Sequence, residues 1–248
     1  MNQISFRRYA SKASISLIQD THEYLRHCRL HGLSTVSTVF QGTLYELYVK
    51  QFLTRHLNAK GLIKCGGAYD NGVDLMGKWD LMPYYKVSEA LGTISRANEC
   101  SLIHSQGFQN TPLETKLSLK NDINLLVQCK NYRKKLSAST VRQLAGILEY
   151  HQLSLLSKAS TFMFIVSPHG ITEQATTVLD KLLYPLASIG IAPLRNTGNS
   201  EQLYDYDSWC GGELNSIYLN QMARQVLSGF CMEQQLSLLV ASGLGKRH

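Results

Sequence analysis

Residues 123–130 read Ile-Asn-Leu-Leu-Val-Gln-Cys-Lys: an apolar run that ends in an amide, a thiol and an ammonium. Length and β-propensity make it the clearest strand of the chain. Side chains alternate across a strand, so Leu126, Gln128 and Lys130 share one face, while Leu125, Val127 and Cys129 share the other. A glutamine and a lysine at the end of an apolar strand, pointing the same way, have two readings. Either the strand emerges into solvent there, or the pair serves a site.

Downstream, the pattern alternates. A helix is expected over 141–150, a buried strand over 161–166 (TFMFIV), a helix over 171–186 and a short strand over 189–194. Strand and helix in alternation specify an α/β core with at least one crossover unit. Upstream, 20–31 has the makings of a short helix, and the Ser/Thr-rich stretch 34–38 can cap a longer one over 39–57. In that helix Val39, Leu44, Tyr45, Tyr48, Val49, Phe52 and Leu53 recur at helical spacing. Strands are expected at 62–65 and 73–76, separated by Gly66-Gly67 and the turn Asp70-Asn71-Gly72. Residues 83–120 are polar and weakly periodic and read as a long insertion, a kind of segment that is often functional. The segment 214–239 reads as mostly helical. There is no internal repeat and no low-complexity tract.

Bulk properties narrow the class. The 248 residues are 44% hydrophobic and only 17% charged, with net charge +7 and a pI of about 9.1. That length suits one domain with appendages. A basic balance favours an anionic partner, a nucleic acid or an anionic membrane surface. The six cysteines contain no C-x-x-C pair, which fits free thiols in a reducing compartment rather than a disulfide framework or a zinc site. No apolar run approaches the ~18 residues that span a bilayer, so no transmembrane segment is expected. Residues 1–19 carry Arg7, Arg8 and Lys12, several serines and no acid. This is the composition of a mitochondrial presequence, with Arg7-Arg8-Tyr9-Ala10-Ser11 resembling a matrix-processing site.

Three further features belong with the strand. Asp74 lies between Val73 and Leu75, and an acid within an apolar, β-prone segment is costly to bury unless it is paired or bound to metal. Glu46 borders the apolar face of the 39–57 helix, where it would form a boundary salt bridge or approach Asp74. From 123 to 148 there is no acid, but there are Lys130, Arg133, Lys134, Lys135 and Arg142, with Tyr132 as a stacking surface. That run is either a solvated basic turn or a phosphate-binding patch.

In order, these are a Glu in a helix, G-x-D on a strand, Q-C-K on the next strand, then a helix. The set resembles the PD-(D/E)XK nuclease superfamily and, within it, the Mrr-like restriction endonucleases. More narrowly, STVFQGTLYE, GGAYDNGVD and LLVQCK resemble the fungal mitochondrial family called required for respiratory growth protein 7. The resemblance covers roughly residues 35–195 without the insertion. It implies a restriction endonuclease-like core, in which a mixed central β-sheet is flanked by helices. The long insertion would then fall between the second and third core strands, and the C-terminal tail would be helical. It also implies a site of Glu46, Asp74, Gln128 and Lys130. Mg²⁺, or Mn²⁺, would be held by Asp74, the Gln128 amide oxygen, the Cys129 carbonyl and, directly or through water, Glu46. Lys130 would orient the attacking water or stabilise the transition state. Asp70 competes for the metal-ligand role, but Asp74 is preferred because Gly72 supplies the glycine of G-x-D. Gln128 departs from the usual acid at its position. It brings no charge and leaves the number of ions, one or two, open.

Tyr132, Arg133, Lys134, Lys135, Arg142 and Gln143 would contact nucleic acid, and His169 is read as a loop residue. The expected layout is a presequence (1–19), an N-terminal extension (20–34), a nuclease-like domain (35–212, insertion 83–120) and a helical extension (213–248). The expected function is metal-dependent hydrolysis of nucleic acid, mitochondrial DNA foremost, in the matrix. Its rivals are a non-catalytic nucleic-acid-binding module, an RNA-processing nuclease and a mitochondrial assembly factor.

Overall fold

The computed structural model describes residues 17–65, 72–93, 100–104, 114–118, 123–150 and 160–244. Residues 1–16 of the expected presequence and Asp70 fall outside these, whereas residues 17–19 lie within them, with Ile18 buried in the core. Helix α1 (Thr21–Leu30) begins where Asp20 accepts from the His22 and Glu23 amides. Helix α2 (Thr38–His56) is capped by Ser37. Then come β1 (Ala59–Lys64), β2 (Leu75–Trp79), α3 (Met82–Ala90), the hairpin strands β3 (Cys100–His104) and β4 (Glu114–Ser118), and β5 (Ile123–Cys129). Helix α4 (Ala138–Tyr150), β6 (Thr161–Ser167), α5 (Glu173–Asp180) and β7 (Leu186–Ile191) follow. The chain continues through a small ladder of β8 (Leu194–Asn196) and β9 (Trp209–Gly211), then β10 (Leu214–Leu219), α6 (Gln221–Val226) and α7 (Met232–Ala241).

Six strands form the central sheet in the order β1-β2-β5-β6-β7-β10. Strands β5, β6 and β7 are parallel, while β1, β2 and β10 pair antiparallel at the two sides. The sheet is therefore mixed and flanked by helices, in agreement with the expected α/β class.

The alternation read in 123–130 divides two cores. Leu125, Val127 and Cys129 join Phe162, Phe164 and Val166 in the large core against α1 and α2. Leu126 packs with Met163 and Ile165 under α4 and α5. Trp79 anchors the large core, its ring edge-on to Phe162 and Phe164 and its indole N–H donating to the Leu57 carbonyl at 2.8 Å. Burying each such side chain contributes roughly 1.5–3 kcal/mol. Two tyrosines fix α2 to the opposite end of the molecule: Tyr45 Oη donates to the Ile191 carbonyl and Tyr48 Oη to that of Gly212, each at 2.9 Å. Glu46 sits between those anchors in sequence.

Three expectations need correction. The stretch expected as a long loop from 83 opens inside α3, whose Tyr84, Tyr85 and Ser88 are buried. Ser88 Oγ donates to the Phe230 carbonyl and α3 thereby locks to the C-terminal region. The tail expected to be helical from 213 begins with β10, the sixth strand of the sheet, and only then turns into α6 and α7. Its residues Leu214, Leu219, Phe230 and Leu236 belong to the large core, so it is part of the domain rather than an extension. Val39, placed on the apolar face of α2, is 71% exposed because the first turn of the helix points it outward.

At the first edge of the sheet, Gln19 reaches Lys64. Its Oε1 accepts from the Lys64 amide at 2.7 Å, and its Nε2 donates to the Lys64 carbonyl at 3.3 Å. Lys50 Nζ donates to the same Oε1 at 2.8 Å. Among the described residues no helix is long and apolar enough to cross a membrane.

Candidate functional site

Asp74 stands one residue before β2. Its amide donates to the Val127 carbonyl at 2.9 Å and its carbonyl accepts from the Cys65 amide at 2.7 Å, so β1 and β5 both grip its main chain. Gly72, two residues earlier, has φ of +79°, a left-handed conformation that suits glycine. A Cβ there would collide with Ile147 of α4 and approach Gln128 Oε1 to 3.4 Å. The glycine of G-x-D is thus needed both for the turn and for the close packing of α4.

From this position the Asp74 carboxylate meets the end of β5. Its Oδ2 accepts from Gln128 Nε2 at 2.5 Å and from the Cys129 amide at 2.7 Å. Gln128 is 2% exposed. Its Nε2 also lies 3.5 Å from the Cys129 carbonyl oxygen. Its Oε1 is buried with no hydrogen-bond partner among the described residues, an arrangement that costs about 1–3 kcal/mol for an ordinary amide. The amide nitrogen therefore lies between two oxygens, those of Asp74 and Cys129. Turned over, the amide would present Oε1 to the same point, and the donors would be three oxygens, a set that suits a hard divalent cation. Among the described residues no group of three or more His, Cys, Asp or Glu side chains is placed to hold a metal. An ion here would rely on amide and main-chain oxygens.

Glu46 approaches from α2, its Oε2 3.2 Å from Lys64 Nζ. The Lys64 side chain is only 7% exposed, against 23% for Glu46. Lys64 ends β1 opposite Leu75, one residue from Asp74. Sequence reading missed this lysine. Its signal was the one that singled out Lys130: an apolar strand, here GLIKC, closed by a lysine on the buried face. The Cys129 thiol is buried and feels the charges of these groups. Burial pushes it well above the usual thiol range, Asp74 and Glu46 push it further, and Lys130 and Lys64 oppose them. Asp74, Glu46, Lys130 and Lys64 thus all act on one buried point.

Lys130 follows β5, its amide donating to the Val166 carbonyl at 2.8 Å. The basic residues occupy the connection from β5 to α4: Tyr132 is 51% exposed, and Arg133, Lys134 and Lys135 are exposed too. Leu136 pins this turn, its amide donating to the Gly170 carbonyl at 2.9 Å and its carbonyl accepting from Thr172 at 3.0 Å. Asn131 Nδ2 donates to the Gln41 carbonyl at 3.3 Å and ties the turn to α2 as well. Arg142 and Gln143 are exposed on α4, and His169 is exposed in the turn after β6, as read.

Comparison with known proteins gives a consistent family. The family model described as required for respiratory growth protein 7 matches residues 37–227. The mitochondrial protein of that name from Candida glabrata is 31% identical over 241 residues, covering 92% of this chain and 91% of its own. That of Saccharomyces cerevisiae (strain ATCC 204508 / S288c) is 30% identical over 207 residues, 82% of this chain and 84% of its own. That of Vanderwaltozyma polyspora is 28% identical over 207 residues, with 82% and 81% covered. No solved structure matches the chain. With the family model spanning the helix that carries Glu46, the Asp74 turn, the end of β5 and most of the C-terminal part of the sheet, the chain belongs to the required for respiratory growth protein 7 family.

Proposed function

We propose that this protein is a metal-dependent nuclease of the PD-(D/E)XK type, close to the Mrr-like restriction endonucleases. In this reading it hydrolyses phosphodiester bonds in mitochondrial DNA, in the matrix, in support of respiratory growth. The observation that carries the reading is the meeting of Asp74, Gln128 and the Cys129 main chain at the end of β5, immediately before Lys130 and the basic turn. The names of the relatives support the respiratory and mitochondrial parts.

Asp74 Oδ2, Gln128 Oε1 and the Cys129 carbonyl would hold Mg²⁺ or Mn²⁺. Such an ion would, when bound, stabilise negative charge on a phosphoryl oxygen and make a water molecule easier to deprotonate. The chain's own residues do the rest. The Cys129 amide orients the Asp74 carboxylate. Lys130 directs a cation to the reacting phosphate and stabilises its developing negative charge. Arg133, Lys134, Lys135 and Arg142 engage the phosphate backbone without reading sequence, Gln143 lies beside them, and Tyr132 offers a ring to an unstacked base.

A second reading, a nucleic-acid-binding module that does not cleave, is favoured by one observation. Asp74 Oδ2 already receives two hydrogen bonds, as a purely structural pin would. An assay of the purified protein separates the two, on single-stranded, double-stranded and branched DNA and on RNA, with Mg²⁺, with Mn²⁺ and with EDTA. Cleavage that requires the metal and disappears in Asp74→Ala, with DNA binding retained, is the expected result. Lys130→Ala should cut the rate by about two orders of magnitude with an unchanged melting temperature. Cleavage that survives both EDTA and Asp74→Ala would overturn the metal mechanism. Salt-dependent binding without cleavage of any substrate would establish the second reading.

A further inference from the structure

Met76 lies opposite Ile63 across the β1–β2 ladder and opposite Leu126 across the β2–β5 ladder. Side chains alternate along a strand, so this row shares a face of the sheet with Gln128 and with Asp74, two residues before Met76. Helices α4 and α5 cover that face where Leu126, Met163 and Ile165 pack. Over β1 and β2 it is open: Ile63 is 61% and Met76 44% exposed. An open groove runs here past Lys60, Ile63, Cys65, Met76 and Lys78, with no acid among its lining residues.

The charge along this shelf is positive. Lys60 is balanced by Asp80 at 2.7 Å. Lys78 instead donates to the Asn124 amide oxygen at 2.6 Å, a partner that carries no charge. Lys78 lies two residues beyond Met76 on the same face, ~13 Å from Asp74 along the strand. Past the end of β5 stand the half-exposed Tyr132 ring and the exposed Arg133, Lys134 and Lys135. The candidate site therefore has cationic groups and exposed apolar side chains on both of its flanks.

An occupant of the shelf must be anionic at Lys78 and apolar at Ile63 and Met76. A duplex presents phosphates and groove edges but keeps its base planes in the stack. An unpaired strand presents phosphates and base planes together, and apolar side chains as well as rings can hold an unstacked base. We propose that the β1–β2 face beside Asp74 binds an unpaired nucleic-acid strand, with Ile63 and Met76 against a base and Lys78 on a phosphate. The substrate of the site is then single-stranded or locally unpaired. This rests on the nuclease reading and narrows its substrate, but neither a metal nor cleavage enters the test.

The test is fluorescence anisotropy in EDTA with the full chain and four labelled probes of equal length: oligothymidine, oligouridine, an abasic strand and a duplex. One of the base-bearing strands should bind at least about tenfold more tightly than the abasic strand, and more tightly than the duplex; the tighter of the two identifies DNA or RNA. Ile63→Ser combined with Met76→Ser should remove most of that advantage and leave abasic binding within about twofold. Lys78→Ala should weaken base-bearing and abasic strands alike and lower the salt slope by about 0.7. The methyl resonance of Met76 should shift when the tighter strand is added, and it decides alone if the double variant fails to fold. Equal binding of abasic and base-bearing strands, tighter binding of the duplex, unchanged binding by the folded double variant or an unmoved Met76 methyl would each overturn the proposal. So would a wild-type dimer in sedimentation that the double variant turns into a monomer, since the face would then belong to a second copy. Each of these leaves the nuclease reading to stand or fall on metal-dependent cleavage. No binding of any probe at low salt would overturn both.

Discussion

At the scale of single residues, the site depends on Gly72 as much as on its chemical groups. Its φ of +79° costs an L-residue roughly 1–2 kcal/mol, and the missing side chain leaves room for Ile147 and Gln128 Oε1. Gly72→Ala is therefore expected to lower stability by about that much and to displace the Ile147 side chain. Urea denaturation and the side-chain methyl resonances of Ile147 would report the two effects. Asp74, Gln128 and Lys130 were legible in sequence because each is a polar residue where an apolar strand predicts none. Lys64 had the same signature but was passed over, since its partner Glu46 lies 18 positions away in another element, and only the packing of α2 on β1 brings them together.

At the scale of elements, the long periodic segments α2, β5 and β6 could be read directly, because burial on one or both faces leaves its period in the sequence. Helix α3 could not. Its inward groups are two tyrosines and a serine, and Ser88 is satisfied by a carbonyl 142 positions away. Strand β10 could not either: Asn215 and Ser216 are exposed on its outer part, and an edge strand that is half solvated resembles the start of the helix that follows. The head of α3 offers a test in pH. Asp80 Oδ1 accepts from the Met82 amide at 2.9 Å, and Oδ2 pairs with Lys60 at 2.7 Å. Partial burial alone would raise its pKa, but the Lys60 and Met82 contacts outweigh it and hold the carboxyl below the ordinary carboxylate range. A depressed folded-state pKa contributes stability above the unfolded value of ~3.9, and that contribution is lost as pH falls through the folded value. Asp80→Ala should thus cost about 1 kcal/mol at pH 7, discounted for the exposure of Lys60. The gap from wild type should close in denaturation curves taken towards acid pH.

At the scale of the molecule, the correction to the tail has the largest effect. A chain ending at Gly212 would uncover the edge of β7 and remove Leu214, Leu219, Val226, Phe230, Met232 and Leu236 from the large core. At roughly 1.5–3 kcal/mol for each large side chain, the loss matches or exceeds the whole stability of an ordinary domain, about 5–15 kcal/mol. That truncation should yield no cooperative thermal transition by circular dichroism, and a folded monomer would contradict it. The opposite flank is managed by a single amide. Strand β1 is the outermost of the central sheet on its side, the kind of edge that can template another chain by strand addition. Gln19 imitates a neighbouring strand by donating to and accepting from Lys64, while the register shift between Lys60 and Ile63, with Gly61 at φ of +57°, spoils pairing further along. The flank nearest Asp74 is thereby guarded against self-association, and it is Gln19→Ala, which removes both contacts to Lys64 and one acceptor of Lys50, that would expose it.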